Sequence, residues 1–232
     1  SHGMVLGSNN EKMSKSKGNV INPDDIVNEY GADTLRLYEM FMGDYEQDAP
    51  WSTDSLRGCK RFIDKIVRLK EKINQEEGYS KNLESLIHKT IKKVQNDLLS
   101  MAYNTAVSTL MILANAYAEQ ESITKEDYRV LLTLLNPIAP HITEELNESL
   151  GFEPICNSKW PAYEEEKTID KEITIAVQIN GKLRSSIMIE KDEDKDSVLE
   201  KALADEKVQK YLENVEIVKT IVVPNKIVNI VV

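Results

Sequence analysis

The spacing of apolar side chains changes once along this chain, near residue 170, and that change limits what it can fold into. Before it, apolar residues recur every three or four positions, the period of a helix face. One stripe runs through Leu56, Cys59, Ile63, Ile66, Val67 and Ile73. A second runs through Leu83, Leu86, Ile87, Ile91, Val94, Leu98 and Met101, and a third through Ala106, Leu110, Leu113, Ala114 and Tyr117. Thr124 to Asp127 reads as a capping box opening a fourth helix, whose run Val130 to Leu135 meets Pro137 and Pro140. Proline lacks an N–H and clashes with the preceding turn, so the helix is expected to kink or break there. It is expected to continue over Glu144 to Leu150, up to a Gly151 cap. After residue 170 the period is two. Ile173, Ile175, Val177 and Ile179 alternate with polar or small residues, Asn180-Gly181 is a strong hairpin signal, and Leu183, Ser185, Ile187 and Ile189 continue the alternation.

The predicted fold is therefore mainly α. An antiparallel four-helix-type bundle, in which short links join successive helices, precedes a small α+β domain of order β-β-α-β-β. In that domain one amphipathic helix, Asp194 to Leu212, lies on one face of an antiparallel sheet completed by Val215 to Val223 and Ile227 to Val232. Ahead of the bundle, Met4 to Leu6 reads as a short strand followed by a polar turn and a basic loop. Asn22, Pro23, Asp24 and Asp25 open a helix that Gly31 closes. Asp33 is placed to cap the next helix, and Met42 to Pro50 reads as a loop pinned by Trp51. The domain boundaries expected are 1–21, 22–52, 53–168 and 169–232.

Composition sets outer limits. The 232 residues are 41% hydrophobic and 29% charged, as in a water-soluble globular chain, and no apolar run reaches the length of a membrane span. Cys59 and Cys156 stand far apart with only three histidines, which argues against a zinc site. Lone thiols fit a reducing, cytoplasmic setting. Ser1-His2 reads as the remnant of an expression tag. A net charge of −10 means that polyanion binding, if present, must come from local stripes rather than the whole surface.

Three groups of cations stand out. Lys12-Met13-Ser14-Lys15-Ser16, followed by Gly18, combines ammonium groups, hydroxyls and backbone freedom suited to holding a polyphosphate. Lys17 reads as plainly solvated. Arg57, Arg61, Lys65, Arg68 and Lys72 fall at helical spacing beside an apolar face. They suit contacts to an RNA backbone, the plainer alternative being a solvated face balanced by Asp64 and Glu71. Lys182, Arg184 and Lys226 lie at or beside two hairpin turns, and form a positive cluster if both turns share one end of the sheet. The alternative is that lysines near sheet edges suppress edge pairing. His141 reads as a structural residue.

The segment KMSKSKGNVINPDDIVNEYGADTLRLYEMFM resembles the signature loop and following helices of class I aminoacyl-tRNA synthetases, in the branch for leucine, isoleucine, valine and methionine. Asn136 to Leu146 is similar to the helix-breaking segment of that branch's anticodon-binding bundle, and Trp160-Pro161 to the segment that ends it. Val177 to Arg184 with Val223 to Val231 resembles the small C-terminal domain of the bacterial leucyl enzymes. The resemblance implies that Lys15 contacts ATP with Lys12 as its partner, that Ser14 and Ser16 add contacts, and that Mg²⁺ arrives with the ATP. It implies tRNA(Leu), leucine and ATP as partners of a monomeric, cytoplasmic enzyme that binds no metal of its own. It implies docking of the small C-terminal domain on tRNA, and the expected tRNA-binding residues are Arg57, Arg61, Arg68, Lys182, Arg184 and Lys226. No His-x-Gly-His occurs among the 232 residues, so the chain reads as a C-terminal portion, inactive alone. Alternatives are the same region of an isoleucine, valine or methionine enzyme, or a free-standing, non-catalytic RNA-binding protein.

Overall fold

A computed structural model describes residues 3–44, 46–169, 172–213 and 215–232. Ser1 and His2, Tyr45 in the Met42–Pro50 segment and Asp170 at the end of the linker lie outside the described residues. The chain divides into two compact units, Ser1–Thr168 and Ile169–Val232.

The first unit opens with strand β1 (Val5–Leu6), which pairs in parallel with β2 (Ala49–Pro50), so the segment read as loop ends in a strand. Between them lie α1 (Pro23–Tyr30) and α2 (Ala32–Phe41). The Asn22 side chain accepts the Asp24 N–H, Pro23 takes the first helical position, and Gly31 at φ 90° joins the two helices without a linker. Tyr38 is fully buried in α2. Its ring meets Trp51 edge-on at 4.8 Å, and its hydroxyl accepts the Ser52 N–H at 2.8 Å. Ser52 in turn caps α3 (Thr53–Leu69).

Helix α3 buries Leu56, Cys59, Phe62, Ile63, Ile66 and Leu69. Two residues assigned to this stripe from sequence lie elsewhere. Val67 is 40% exposed, because the residue after Ile66 turns about 100° away from the core. Ile73 has left the helix and bridges to Ile123. Next come α4 (Glu84–Leu99), α5 (Tyr103–Glu119) and α6 (Lys125–Leu135). Met101, expected on the α4 stripe, is instead exposed in the link at φ 58°. The expected capping box forms: Thr124 Oγ1 accepts the Asp127 N–H and Asp127 Oδ2 accepts the Thr124 N–H. Asp127 also accepts Ser80 N–H and O–H, so this buried carboxylate joins the start of α6 to the loop ahead of α4. Residues from α2 through α7 share one hydrophobic core.

The prolines do break the helix. Residues 136–139 form a turn, and α7 (Pro140–Glu148) starts at Pro140 rather than Glu144, because proline suits the first helical position. Asp33 does not cap its own helix, whose N-cap is Gly31 with no side-chain bond. Its carboxylate reaches α7 instead, accepting the Ile142 N–H at 2.6 Å and His141 Nδ1–H at 2.7 Å. One turn on, Arg36 donates Nε–H to the Ile138 carbonyl at 2.8 Å and an Nη2 hydrogen to the Pro137 carbonyl at 3.2 Å. Groups left without helical partners by the break are thus satisfied by two residues of α2.

In the second unit β3 (Glu172–Ile179) and β4 (Lys182–Glu190) form the expected hairpin, with β5 (Lys219–Val223) and β6 (Ile227–Val231) forming another. The sheet order is β4-β3-β6-β5, and β3 pairs with β6 in parallel. The sheet is therefore mixed, which corrects the antiparallel expectation. Its two most apolar strands take the centre, where Ile175, Val177, Val228 and Ile230 are buried on one face. The expected single helix is two, α8 (Lys195–Ala204) and α9 (Glu206–Leu212). Asp205, in extended backbone, accepts the N–H groups of Lys207 and Val208 and so starts a new helix in the middle of the run. Strand β5 begins at Lys219; Val215, Ile217 and Val218 ahead of it are exposed.

Two expectations follow for the 232-residue chain. Replacing Asp33 by Ala leaves the Ile142 N–H without its acceptor, and is expected to cost about 1–3 kcal/mol in urea unfolding. Removing Asp64 from its exposed i,i+4 pair with Lys60 should cost less than about 1 kcal/mol. Burial pushes the Cys59 thiol up to about 11, whereas Cys156 is exposed. One thiol is expected to react with an alkylating reagent in the native chain and two after unfolding. Because Cys59 is held neutral when folded, its contribution to stability is present below pH about 9 and lost as pH rises toward about 11, readable as a falling melting temperature.

Candidate functional site

The basic loop leaves β1 through a tight turn. Gly7 N–H donates to the Glu11 carbonyl at 2.8 Å, and a Cβ on Gly7 would meet Asn19 Nδ2 at 3.0 Å. Asn19 fastens the loop from the far side, its Oδ1 accepting Ser14 N–H at 2.8 Å and its Nδ2 donating to the Lys12 carbonyl at 3.4 Å. Lys15–Lys17 form one 3-10 turn capped by Ser14 and closed by Gly18 at φ 63°. The hydroxyls of Ser14 and Ser16 are 3.1 Å apart. Met13 packs against the hydrophobic core and anchors the middle of the motif.

Lys17 is bound to Glu11 at 2.9 Å, which accounts for it without a ligand. Lys12 and Lys15 are exposed and have no acidic partner among the described residues. The loop thus presents two unneutralised ammonium groups and two hydroxyls on a backbone fixed by internal hydrogen bonds. Such a surface can accept the charge of a polyphosphate. Sequence reasoning missed Asn19 and Met13. The signal for both was weak, since an Asn five residues past a Ser, or one Met among charges, says nothing until the loop closes.

On α3, Arg61, Lys65 and Arg68 line a groove of about 500 Å³ shared with Met111 and Asn115 of α5. The Lys65 ammonium donates to Asn115 Oδ1, which fixes it along the wall. Arg57 does not line the groove; it sits 3.5 Å from Asp54. Lys72 donates to the carbonyls of Ala118 and Gln120 at 2.6 Å each, closing the end of α5. It is a structural cation. Asp64, the expected counter-charge, is bound to Lys60 at 2.5 Å.

In the second unit the parallel pairing of β3 and β6 places the two hairpin turns at opposite ends of the sheet. Ile179, before the first turn, is level with Ile230, whereas Ile227, after the second, is level with Ala176. The expected cluster of Lys182, Arg184 and Lys226 therefore does not form. Lys182 and Arg184 share one end; Lys226 is at the other, where Asn225 exchanges hydrogen bonds with Asp192. Arg184 is the extra residue of a bulge, since Val177 pairs with Ser185 and Gln178 with Leu183.

Comparison with known proteins gives the following matches. The family described as the anticodon-binding domain of tRNA ligase matches residues 80–200. The family described as tRNA synthetases class I (I, L, M and V) matches residues 1–52. Leucine–tRNA ligase of Alkaliphilus oremlandii (strain OhILAs) is 54% identical over 233 aligned residues, covering 100% of this chain and 29% of that protein. The crystal structure of the ternary complex of Agrobacterium radiobacter K84 agnB2 LeuRS with tRNA and LeuAMS superposes with a TM-score of 0.69 at 27% identity, over 99% of this chain and 33% of that one. Mycobacterium tuberculosis methionyl-tRNA synthetase in complex with methionyl-adenylate shares the fold over 66% of this chain and 38% of its own, with a TM-score of 0.51 at 17% identity. The chain thus spans about a third or less of the length of these leucyl relatives. With the helix break, the capped loop and a family match over more than half its residues, the chain belongs to the anticodon-binding domain family of tRNA ligases.

Proposed function

We propose that this chain is the C-terminal portion of a leucine–tRNA ligase, carrying the ATP-contacting loop and the tRNA-binding domains of that enzyme. The observation that carries the reading is the pair of unneutralised lysines, Lys12 and Lys15, on a loop continuous with the helix-rich unit, in a chain 54% identical to a leucine–tRNA ligase over its whole length. In the activation step the leucine carboxylate attacks the α-phosphate of ATP, and pyrophosphate leaves. Lys15, with Lys12 beside it, stabilises the charge that grows on the leaving phosphates, while Ser14 and Ser16 donate to phosphate oxygens. A lysine suits this role as a compact charge on a flexible stem. Mg²⁺ enters with the ATP and needs no ligand from this chain.

Residues 1–21 then end the nucleotide-binding domain, 22–52 are the helices that join it to the bundle, 53–168 form a four-helix-type anticodon-binding bundle, and 169–232 are a small tRNA-binding domain. Arg61 and Arg68, from the α3 groove, and Arg57 beside them contact phosphates of tRNA(Leu), as do Lys182, Arg184 and Lys226 in the second unit. Phosphate contacts position the RNA without reading its sequence. The enzyme works as a monomer in the cytoplasm; no described helix is long and apolar enough to cross a membrane.

In a full-length ligase carrying this sequence, Lys15→Ala is expected to slow leucine-dependent ATP–pyrophosphate exchange on the order of 10²- to 10³-fold. Lys17→Ala, which removes only an exposed pair with Glu11, should stay within about threefold of the parent. The 232-residue chain alone should bind a tRNA(Leu) transcript, with Arg61→Glu/Arg68→Glu weakening the binding and flattening its salt dependence. Leucine-dependent exchange by the isolated chain, or tRNA binding indifferent to both arginines, would overturn this assignment.

A further inference from the structure

The bulge in β4 gives Arg184 a setting that its neighbours lack. In a regular strand, successive side chains point to opposite faces. Here the extra residue breaks the alternation, and both Arg184 and Ser185 reach α9. Ser185 lies beside Asp205, the residue that caps the start of α9. The Arg184 guanidinium lies over the ring of Tyr211, in the last turn of α9, with Cζ 4.3 Å from the ring centroid. Its Nε is shielded from solvent and has no hydrogen-bond partner among the described residues. The side chain is therefore held by the ring and by the bulge, and among the described residues no ion pair neutralises its charge.

Two more cations flank this stack. Lys182 is paired with inward-facing Ile179, so it projects from the helix-covered side of the sheet, at the same end. Lys207 precedes Tyr211 by four residues, which puts it one turn away on the same flank of α9. Both are exposed. A planar guanidinium fixed on an aromatic face is suited to bidentate binding of a phosphate, because the stack removes rotamers that would otherwise be lost on binding.

We propose that Tyr211 is a positioning residue. It holds Arg184 flat so that the guanidinium meets one backbone phosphate of bound RNA, with Lys182 and Lys207 contacting flanking phosphates. This rests on the reading of the second unit as tRNA-binding.

The test is equilibrium binding of a tRNA(Leu) transcript to the 232-residue chain over a salt series. Arg184→Gln is expected to weaken binding roughly tenfold and to reduce the salt slope by about one. Tyr211→Leu should reproduce most of that loss, the double variant should be no weaker than Arg184→Gln, and Tyr211→Phe, which keeps the ring, should bind like the parent. Lys207→Gln should take about one further unit from the slope. Arg184→Lys keeps the charge but not the plane and should lose affinity, an outcome that stands even if Tyr211→Leu fails to fold. Parent-like binding by Tyr211→Leu or by Arg184→Lys, with Arg184→Gln impaired, overturns the positioning role alone. Parent-like binding by Arg184→Gln overturns it together with the RNA contact at this end of the sheet, and no binding by the parent chain overturns the function proposed above.

Discussion

The first unit depends on a break in a helix that two residues of a different helix make tolerable. The break at Pro137 and Pro140 leaves the Pro137 and Ile138 carbonyls and the Ile142 N–H without helical partners. Buried backbone groups in that state cost about 1–3 kcal/mol each. Asp33 and Arg36, three residues apart on α2 and so on one face, supply an acceptor and a donor to the two sides of the break. The same helix carries Tyr38, whose hydroxyl takes the Ser52 N–H while its ring packs on Trp51. Trp51 N–H in turn donates to the Leu6 carbonyl at the base of the basic loop. One helix of ten residues therefore ties the loop, the start of α3 and the proline break into one core. A shift of α2 would disturb all three together.

What could be read from sequence follows from what is local. Helix stripes were legible because one face of an α-helix repeats within a few residues, and caps such as Asn22 and Thr124 because donor and acceptor lie within three positions. The errors arose where the deciding partner is distant. Asp33 looks like a cap for its own helix, and nothing nearby reveals that its donors lie 109 positions away in α7. Asp205 looks like one polar residue in an amphipathic run, until Ser185 from the β4 bulge is seen beside it. Alternation established that β3 and β6 are strands, but it carries no information on which strands become neighbours. That β3 and β6 become neighbours follows from burying the two most apolar strands at the sheet centre.

The sites show the same division. The loop motif was legible as chemistry, and Lys12 and Lys15 stand where the motif places them. What separates them from Lys17 is the ion pair to Glu11, a six-residue reach across a turn whose shape the sequence did not reveal. The arginine stripe on α3 was legible as a stripe. Its partition into groove-lining Arg61 and Arg68, acid-paired Arg57 and structural Lys72 required knowing that α5 lies alongside. At the sheet, knowledge of two hairpin turns was not enough, because the parallel central pair sends them to opposite ends.

Net charge makes these geometric details decisive. With 39 acidic and 29 basic side chains, the chain as a whole repels a polyanion. Screening cuts that repulsion to about 8 Å at physiological salt. Attraction must then come from cations already in place when a phosphate comes within that distance. The described cations that suit this role are few, and two are pre-positioned by neutral neighbours: Lys65 by Asn115 and Arg184 by Tyr211. A neutral partner fixes a cation without cancelling its charge, whereas an acidic one would do both. In an acid-rich chain, that distinction decides which basic side chains remain able to meet an anion.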